Sequence, residues 1–253
     1  MFEAFNDFFD KVYVITLHRA VERQQLIEQE LKGLNYTFMF GADKNELDIE
    51  TLKKSGQFDI LLAKKHHTAG KIMLPGQLAC SISHRMVYED VIRNNYGKVL
   101  ILEDDIVVDK RNLLSFKETV KELPADWGLW YLGFDKNENA PANSALKKVF
   151  YHFLYSIGLK PNYNHTVINN LYPKGFSTHL KVAGFHDCAH AYAITKNTAG
   201  ILLKMQTPVS YIADHLLAYA VTNALFKSFI SVPTLINQQY QVSAKPVQSY
   251  INS

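Results

Sequence analysis

Apolar residues recur along this chain in two rhythms, every second position and every third or fourth, and the two rhythms alternate from the start. KVYVITL (11–17) is alternating and rich in β-branched residues, which predicts a strand. Val21, Leu26, Ile27, Leu31 and Leu34 then recur at near-helical spacing, with Gly33 as the stop signal. NYTFMFGAD (35–43) returns to the strand pattern, and strand, helix, strand is the opening of an α/β domain. PGQLACSISHRMVYEDVIRNN (75–95) begins on Pro-Gly and sets Leu78, Ile82, Met86, Val91 and Ile92 on one helical stripe. KVLIL (98–102) and WGLWYLG (127–133) read as strands on either side of an amphipathic helix over 110–124. Further on, a strand is expected at 189–195, helices at 196–205 and 210–224, and a strand at 229–236. Two stretches break the rhythm, 44–72 and 134–182, and there is no internal repeat.

The pattern VLILEDDIVVD (99–109) ends an apolar strand on three adjacent acids, Glu103, Asp104 and Asp105. Such charges are costly beside an apolar run unless something positive sits among them. In open α/β sheets ligands bind outside the carboxyl ends of the strands, where these acids stand. Alternation along an extended chain would send Glu103 and Asp105 to one side and Asp104 to the other. Two carboxylates on one side begin a site for a hard divalent cation, magnesium or manganese, completed by water and substrate phosphate. The other reading is a cap or a set of surface ion pairs; the strand context favours the cation.

Composition narrows the field. At 253 residues, 47% hydrophobic and 20% charged, the chain has ample length for one domain with a core. A net charge of +3 is too small to argue for a nucleic-acid binder. Cys80 and Cys188 lack CxxC spacing, so neither a zinc signature nor a disulfide framework is expected, which fits a reducing compartment. The start of the chain lacks the basic, then apolar, order of a secretory signal, and no run approaches 18 apolar residues. A cytoplasmic protein is the expectation.

VYVITLHRAVERQQLIEQEL, GQLACSISHRMVYEDVI and VLILEDDIVVD resemble, in order and spacing, the motif series of glycosyltransferase family 25, which includes bacterial lipooligosaccharide and procollagen galactosyltransferases. AHAYAITKNTAGILL, YIADHLL and PTLINQQ fit that family's distal half. The resemblance implies a GT-A-type fold, a single α/β domain over 1–253 with a mixed central sheet flanked by helices. It also implies a UDP-sugar donor, Mn²⁺ (or Mg²⁺), and a glycan or glycolipid acceptor such as lipopolysaccharide. By the same analogy Glu103 and Asp105 hold the metal, with His190 a third ligand or an acceptor contact, and Asp104 reaches toward the ribose. Arg19, Arg23 and His84 fall at donor-binding positions, their alternatives being a solvated helix start for the two arginines and a structural histidine. Asp214 is the expected general base, or else a favourable charge at a helix start; Asp187 is the next candidate. The chain departs from the family pattern at Thr16 and His18, where Asn and Asp are common, and at Gln77, where Glu is usual.

The expected reaction is single displacement with inversion, moving galactose or glucose to an acceptor hydroxyl. A metal-dependent sugar nucleotidyltransferase needs the same acids, but HRAVERQ (18–24) contains no glycine for a phosphate loop. A degenerate relative that binds glycan without turnover is the third reading. Residues 134–182 carry six lysines against two acids, interleaved with aromatics. A stretch so long and aperiodic suggests an acceptor-side insertion or lid, with short helices near ALKKVFYHFLYSIG and peripheral contact with an anionic membrane face. The alternative is a core helix with a solvated lysine face.

Overall fold

In the computed structural model, which describes residues 2–67, 70–160 and 163–242, the alternation of rhythms becomes an alternation of elements. A short helix α1 (Glu3–Phe8) precedes β1 (Lys11–Thr16), α2 (Val21–Glu30) and β2 (Thr37–Phe40). Then come α3 (Ile49–Lys54), α4 (Ile60–His66), the long α5 (Pro75–Asn94), β3 (Lys98–Glu103) and β4 (Ile106–Val108). After a 3-10 turn at Asn112–Ser115 follow α6 (Phe116–Glu122), β5 (Trp127–Asp135), α7 (Ser144–Ser156), α8 (His165–Asn169), β6 (Lys174–Gly175) and β7 (Leu180–Val182). The chain continues through β8 (Asp187–Thr195), α9 (Lys196–Met205), α10 (Ala213–Thr222), β9 (Lys227–Ser231), β10 (Ile236–Gln238) and α11 (Gln239–Val242).

Eight strands form one sheet in the order β2-β1-β3-β8-β5-β9-β7-β6, and β4 pairs with β10 outside it. β1 runs parallel to β2 and β3, and β5 parallel to β9, while β8 is antiparallel to both β3 and β5. β1, β2, β3 and β5 therefore all end at one edge of a mixed sheet, as the resemblance implied. Both faces are covered. Val12, Val14, Leu100, Leu102, Trp130 and Leu132 pack toward α1, α2 and α6. Their alternates Tyr13, Val99, Ile101, Leu129, Tyr131, Tyr192 and Ile194 lie under α5, α9 and α10. This period-2 split of one sheet into two cores is why the strands read as nearly continuous apolar runs.

Several elements differ from their sequence expectation. The polar stretch 44–72 holds α3 and α4, each opened by an aspartate cap: Thr51 N–H donates to Asp48, and the Leu61 and Leu62 N–H groups to Asp59. Short helices of six and seven residues show too few turns for a periodicity to emerge. The strand expected at 229–236 splits into β9 and β10 around Pro233, which has no N–H to give a ladder. Within 134–182, α7 falls on the expected ALKKVFYHFLYSIG segment, and β7 joins the main sheet beside β9.

Candidate active site

Alternation stops at Glu103. Asp104 and Asp105 form the turn from β3 into β4, so the rule that would separate them no longer applies, and all three carboxylates line one cavity. Its walls come from the ends of β1 and β2, from α2, from α5 and from β10, and it encloses about 750 Å³ with its solvent mouth included.

The positive charge among the acids is supplied by the chain itself. Arg23 of α2 is 8% exposed, donates from Nη1 to Asp104 Oδ1 at 2.6 Å, and lies 4.0 Å from Asp105 Oδ2. It is not a solvated helix start. Asp104 also accepts from Thr16 Oγ1 at 2.7 Å, so both of its oxygens are engaged. Burial raises its carboxyl and Arg23 and Thr16 pull it back, leaving it above the usual range. Asp105 receives Gln238 Nε2 on both oxygens, at 3.1 and 3.0 Å, because β10 pairs with β4 and carries Gln238 opposite Ile106. Burial and the neighbouring Glu103 charge push Asp105 up to about 7.

Glu103 faces α5. His84 Nε2 stands 3.5 Å from its carboxylate, and His84 Nδ1 lies 2.7 Å from Tyr192 OH, which meets Tyr88 OH at 2.8 Å. A carboxylate can only accept, so the proton toward Glu103 is on Nε2. Burial raises Glu103, but His84, His190 and Arg23 outweigh it and hold the carboxyl low. The β3–β8 ladder ends at Leu102 opposite Ala191, one residue short of Glu103 and His190. His190 is fully buried; its Nε2 lies 3.2 Å from the Ile236 carbonyl, and its Nδ1 has no hydrogen-bond partner. Burial lowers its pKa more than Glu103 raises it, so the ring is neutral with a lone pair on Nδ1. Gly133 makes this approach feasible, since a Cβ there would sit 2.2 Å from the Ile236 carbonyl oxygen and 2.3 Å from His190 Nε2.

The opposite wall follows β2. Gly41 lets that loop press on α5, where a Cβ would meet Ser83 Oγ at 2.2 Å, and Ser83 Oγ accepts the Ala42 N–H. Beyond it Asp43 forms a two-point ion pair with Arg19, which holds the Asp43 carboxyl below its usual range. Cys80 Sγ, a His84 ring nitrogen and a Glu103 oxygen lie within 4.8 Å of one another. Burial and the nearby carboxylates push the Cys80 thiol well up.

His190, Asp214 and Asp187 are not among the cavity's lining residues. Asp214 opens α10, where Oδ1 accepts the His215 N–H, and its charge is felt at Cys80, Tyr131 and Cys188. Asp187 pairs across the sheet with Asp135, and its carboxylate is 3.0 Å from Lys136 Nζ.

The order β1, α2, α5, β3 with its acid turn, then β8, is matched from residue 9 to residue 217 by the sequence profile of glycosyltransferase family 25 (LPS biosynthesis protein). The chain belongs to glycosyltransferase family 25. It is 27% identical over 133 residues to procollagen galactosyltransferase 2 of Mus musculus, a match covering 49% of this chain and 21% of that protein. It is 29% identical over 133 residues to the human inactive glycosyltransferase 25 family member 3, covering 49% and 22%. The match thus spans about a fifth of these curated relatives' length. A solved glycosyltransferase involved in glycosylation of the PBCV-1 major capsid aligns with a TM-score of 0.41 at 7% identity, over 92% of this chain and 94% of that one.

Against the family pattern, the departures acquire local reasons. Thr16 holds Asp104, and the His18 ring stacks on Phe40 at 4.0 Å. Gln77 sits in the first turn of α5, where Oε1 accepts the Leu74 N–H at 2.9 Å, a capping task an amide performs as well as a carboxylate. It is not among the cavity's lining residues. Sequence reasoning missed Asp43, Lys44 and Gln238 as lining residues. Asp43 follows directly on a strand beside β1, a signal that was available; Gln238 had none, because only tertiary pairing brings β10 to β4.

Proposed function

We propose that this chain transfers a hexose, galactose or glucose, from a UDP-sugar to a hydroxyl of a glycan or glycolipid such as lipopolysaccharide. One observation carries the reading: at the carboxyl ends of β1, β2 and β3 the cavity gathers four carboxylates, Asp43, Glu103, Asp104 and Asp105, among Arg19, Arg23 and Lys44. With all of them ionised the acids exceed the cations by one. One buried atom of the lining, Gln238 Oε1, has no partner and is a metal-competent acceptor. This donor set fits Mn²⁺ or Mg²⁺, with Glu103 and Asp105 as carboxylate ligands. When bound, the ion stabilises charge growing on the departing diphosphate.

The protein's own part follows from position. Arg23 keeps Asp104 and Asp105 in place, and Gln238 orients Asp105. His84, fixed by Tyr192, orients Glu103. Arg19 and Lys44 line the same wall and suit donor phosphate or ribose. Asp214 takes the acceptor proton; Asp187, already paired with Lys136, is the less available base. Single displacement gives inversion. Two free cysteines support a reducing, cytoplasmic setting.

The test is UDP release from UDP-galactose and UDP-glucose, with and without chelator. Asp105→Asn is expected to lower turnover by about 10²-fold or more with the fold intact. Wild-type turnover by that variant at limiting Mn²⁺ would remove Asp105 from the metal. Asp214→Asn is expected to cost about 10²–10⁴-fold in transfer with donor affinity unchanged. The engagement of every carboxylate by donors within the chain favours a second reading, a glycan binder without turnover. Donor binding with no UDP release would select it.

A further inference from the structure

Helix α7 is turned inside out. Leu146, Val149, Phe150, Phe153 and Ile157 recur at helical spacing and share one side of it, and they are 51–74% exposed. The other side is the one packed on the protein. There Lys148 Nζ donates to the Asn169 carbonyl at 3.0 Å, and His152 meets His165 at 2.8 Å and Asn169 at 3.2 Å. The Tyr155 ring stands edge-on to His165, and that of Tyr151 edge-on to Tyr163. None of the thirteen residues of α7 is buried. A helix that anchors by its polar side and offers a continuous apolar stripe to the outside has a partner for that stripe.

Charge identifies the partner. From Asn139 to His186 the sequence contains no acid, while Lys147, Lys148, Lys160, Lys174 and Lys181 fall within it. Lys147 stands at the border of the stripe by helical position. Lys160 lies just beyond the helix, over the Tyr151 and Tyr163 rings. A second copy of the chain would bring the same positive charge against this one. An apolar stripe with phenylalanines at its centre and lysines at its rim is the form of a helix that lies in a lipid headgroup layer. We infer that α7 docks on an anionic lipid surface, apolar stripe inward and lysines level with the phosphates. α7 follows β5, whose end at Asp135 shares the sheet edge of Glu103. The inference does not depend on the reaction proposed above, because lipid binding requires neither donor nor metal.

Cosedimentation of the full chain with vesicles tests it. Binding is expected to vesicles of equal parts phosphatidylcholine and phosphatidylglycerol, weakening at high salt, and to be much weaker to phosphatidylcholine alone. Phe150→Gln with Phe153→Gln is expected to reduce binding by about tenfold or more, since two rings are withdrawn from the apolar layer. Both rings point outward, so the melting temperature and any UDP release without vesicles should stay at wild-type values. No binding to the anionic vesicles, binding indifferent to lipid charge, or equal binding by the double variant would each overturn the inference. So would self-association in sedimentation velocity that the same variant abolishes while vesicles go unbound; that result would assign the stripe to a second copy.

Discussion

At the residue scale, the balance within the acid turn rests on Arg23. Its guanidinium serves Asp104 directly and Asp105 at longer range, both out of bulk water. Removing one partner of a buried pair leaves the other's charge without compensation, which costs about 3–5 kcal/mol. Arg23→Met is therefore expected to destabilise the fold by about that much. The loss has a defined pH sign. Asp104 and Asp105 already sit above the ordinary carboxylate range because of burial, and without Arg23 they rise further. The folded variant then holds protons that the unfolded chain releases above about pH 4. Its penalty should grow from about pH 5 to about pH 8 and shrink toward acid. Urea unfolding of both proteins at the two pH values checks this, and an equal penalty at both would show that the carboxylates are not left stranded.

Among the elements, α6 and the β6–β7 hairpin are joined by one side chain. Glu122 accepts from Ser177 Oγ at 2.6 Å and from the His179 N–H at 2.8 Å, and it lies 2.7 Å from His179 Nδ1. Burial raises its carboxyl, but these donors prevail and hold it below the ordinary value. A lowered carboxyl stabilises the fold above its unfolded pKa and loses that contribution as pH falls through the folded one. Glu122→Gln should lower stability by about 1 kcal/mol near neutral pH, discounted for partial exposure. The difference from wild type should vanish in acid. Thermal melts across that range measure it, and a constant difference would assign the effect to packing.

Across the whole molecule, stability should be graded from the middle of the sheet outward. β3, β8 and β5 are central, buried on both faces and paired on both sides. Their amides are expected to exchange with deuterium only through global unfolding. α7, with no buried residue, should exchange fastest among the longer helices. Anionic vesicles should slow α7 selectively. Comparable exchange in α7 and α5 without vesicles would mean that α7 is held by more than its polar contacts with α8.

Much of this was already determined by the sequence. Period-2 apolar runs produced β1, β3, β5 and β8 nearly to the residue, because strands buried on both faces leave little room for polar positions. The helical stripe of α5 and the acid triplet at the end of β3 were equally local, and with them the family. What the chain order could not contain is which groups meet. Arg23 and Asp104 stand 81 residues apart, Gln238 and Asp105 133 apart, and His84 and Tyr192 108 apart. Those meetings follow from strand order in the sheet. They decided that the positive partner inside the acid turn is a guanidinium, bonded to Asp104 and at longer range to Asp105, while Glu103 faces His84. They also decided the orientation of α7. A helix near ALKKVFYHFLYSIG was expected from the sequence, but only packing against α8 reveals that its polar side faces inward and its apolar side is left for a partner.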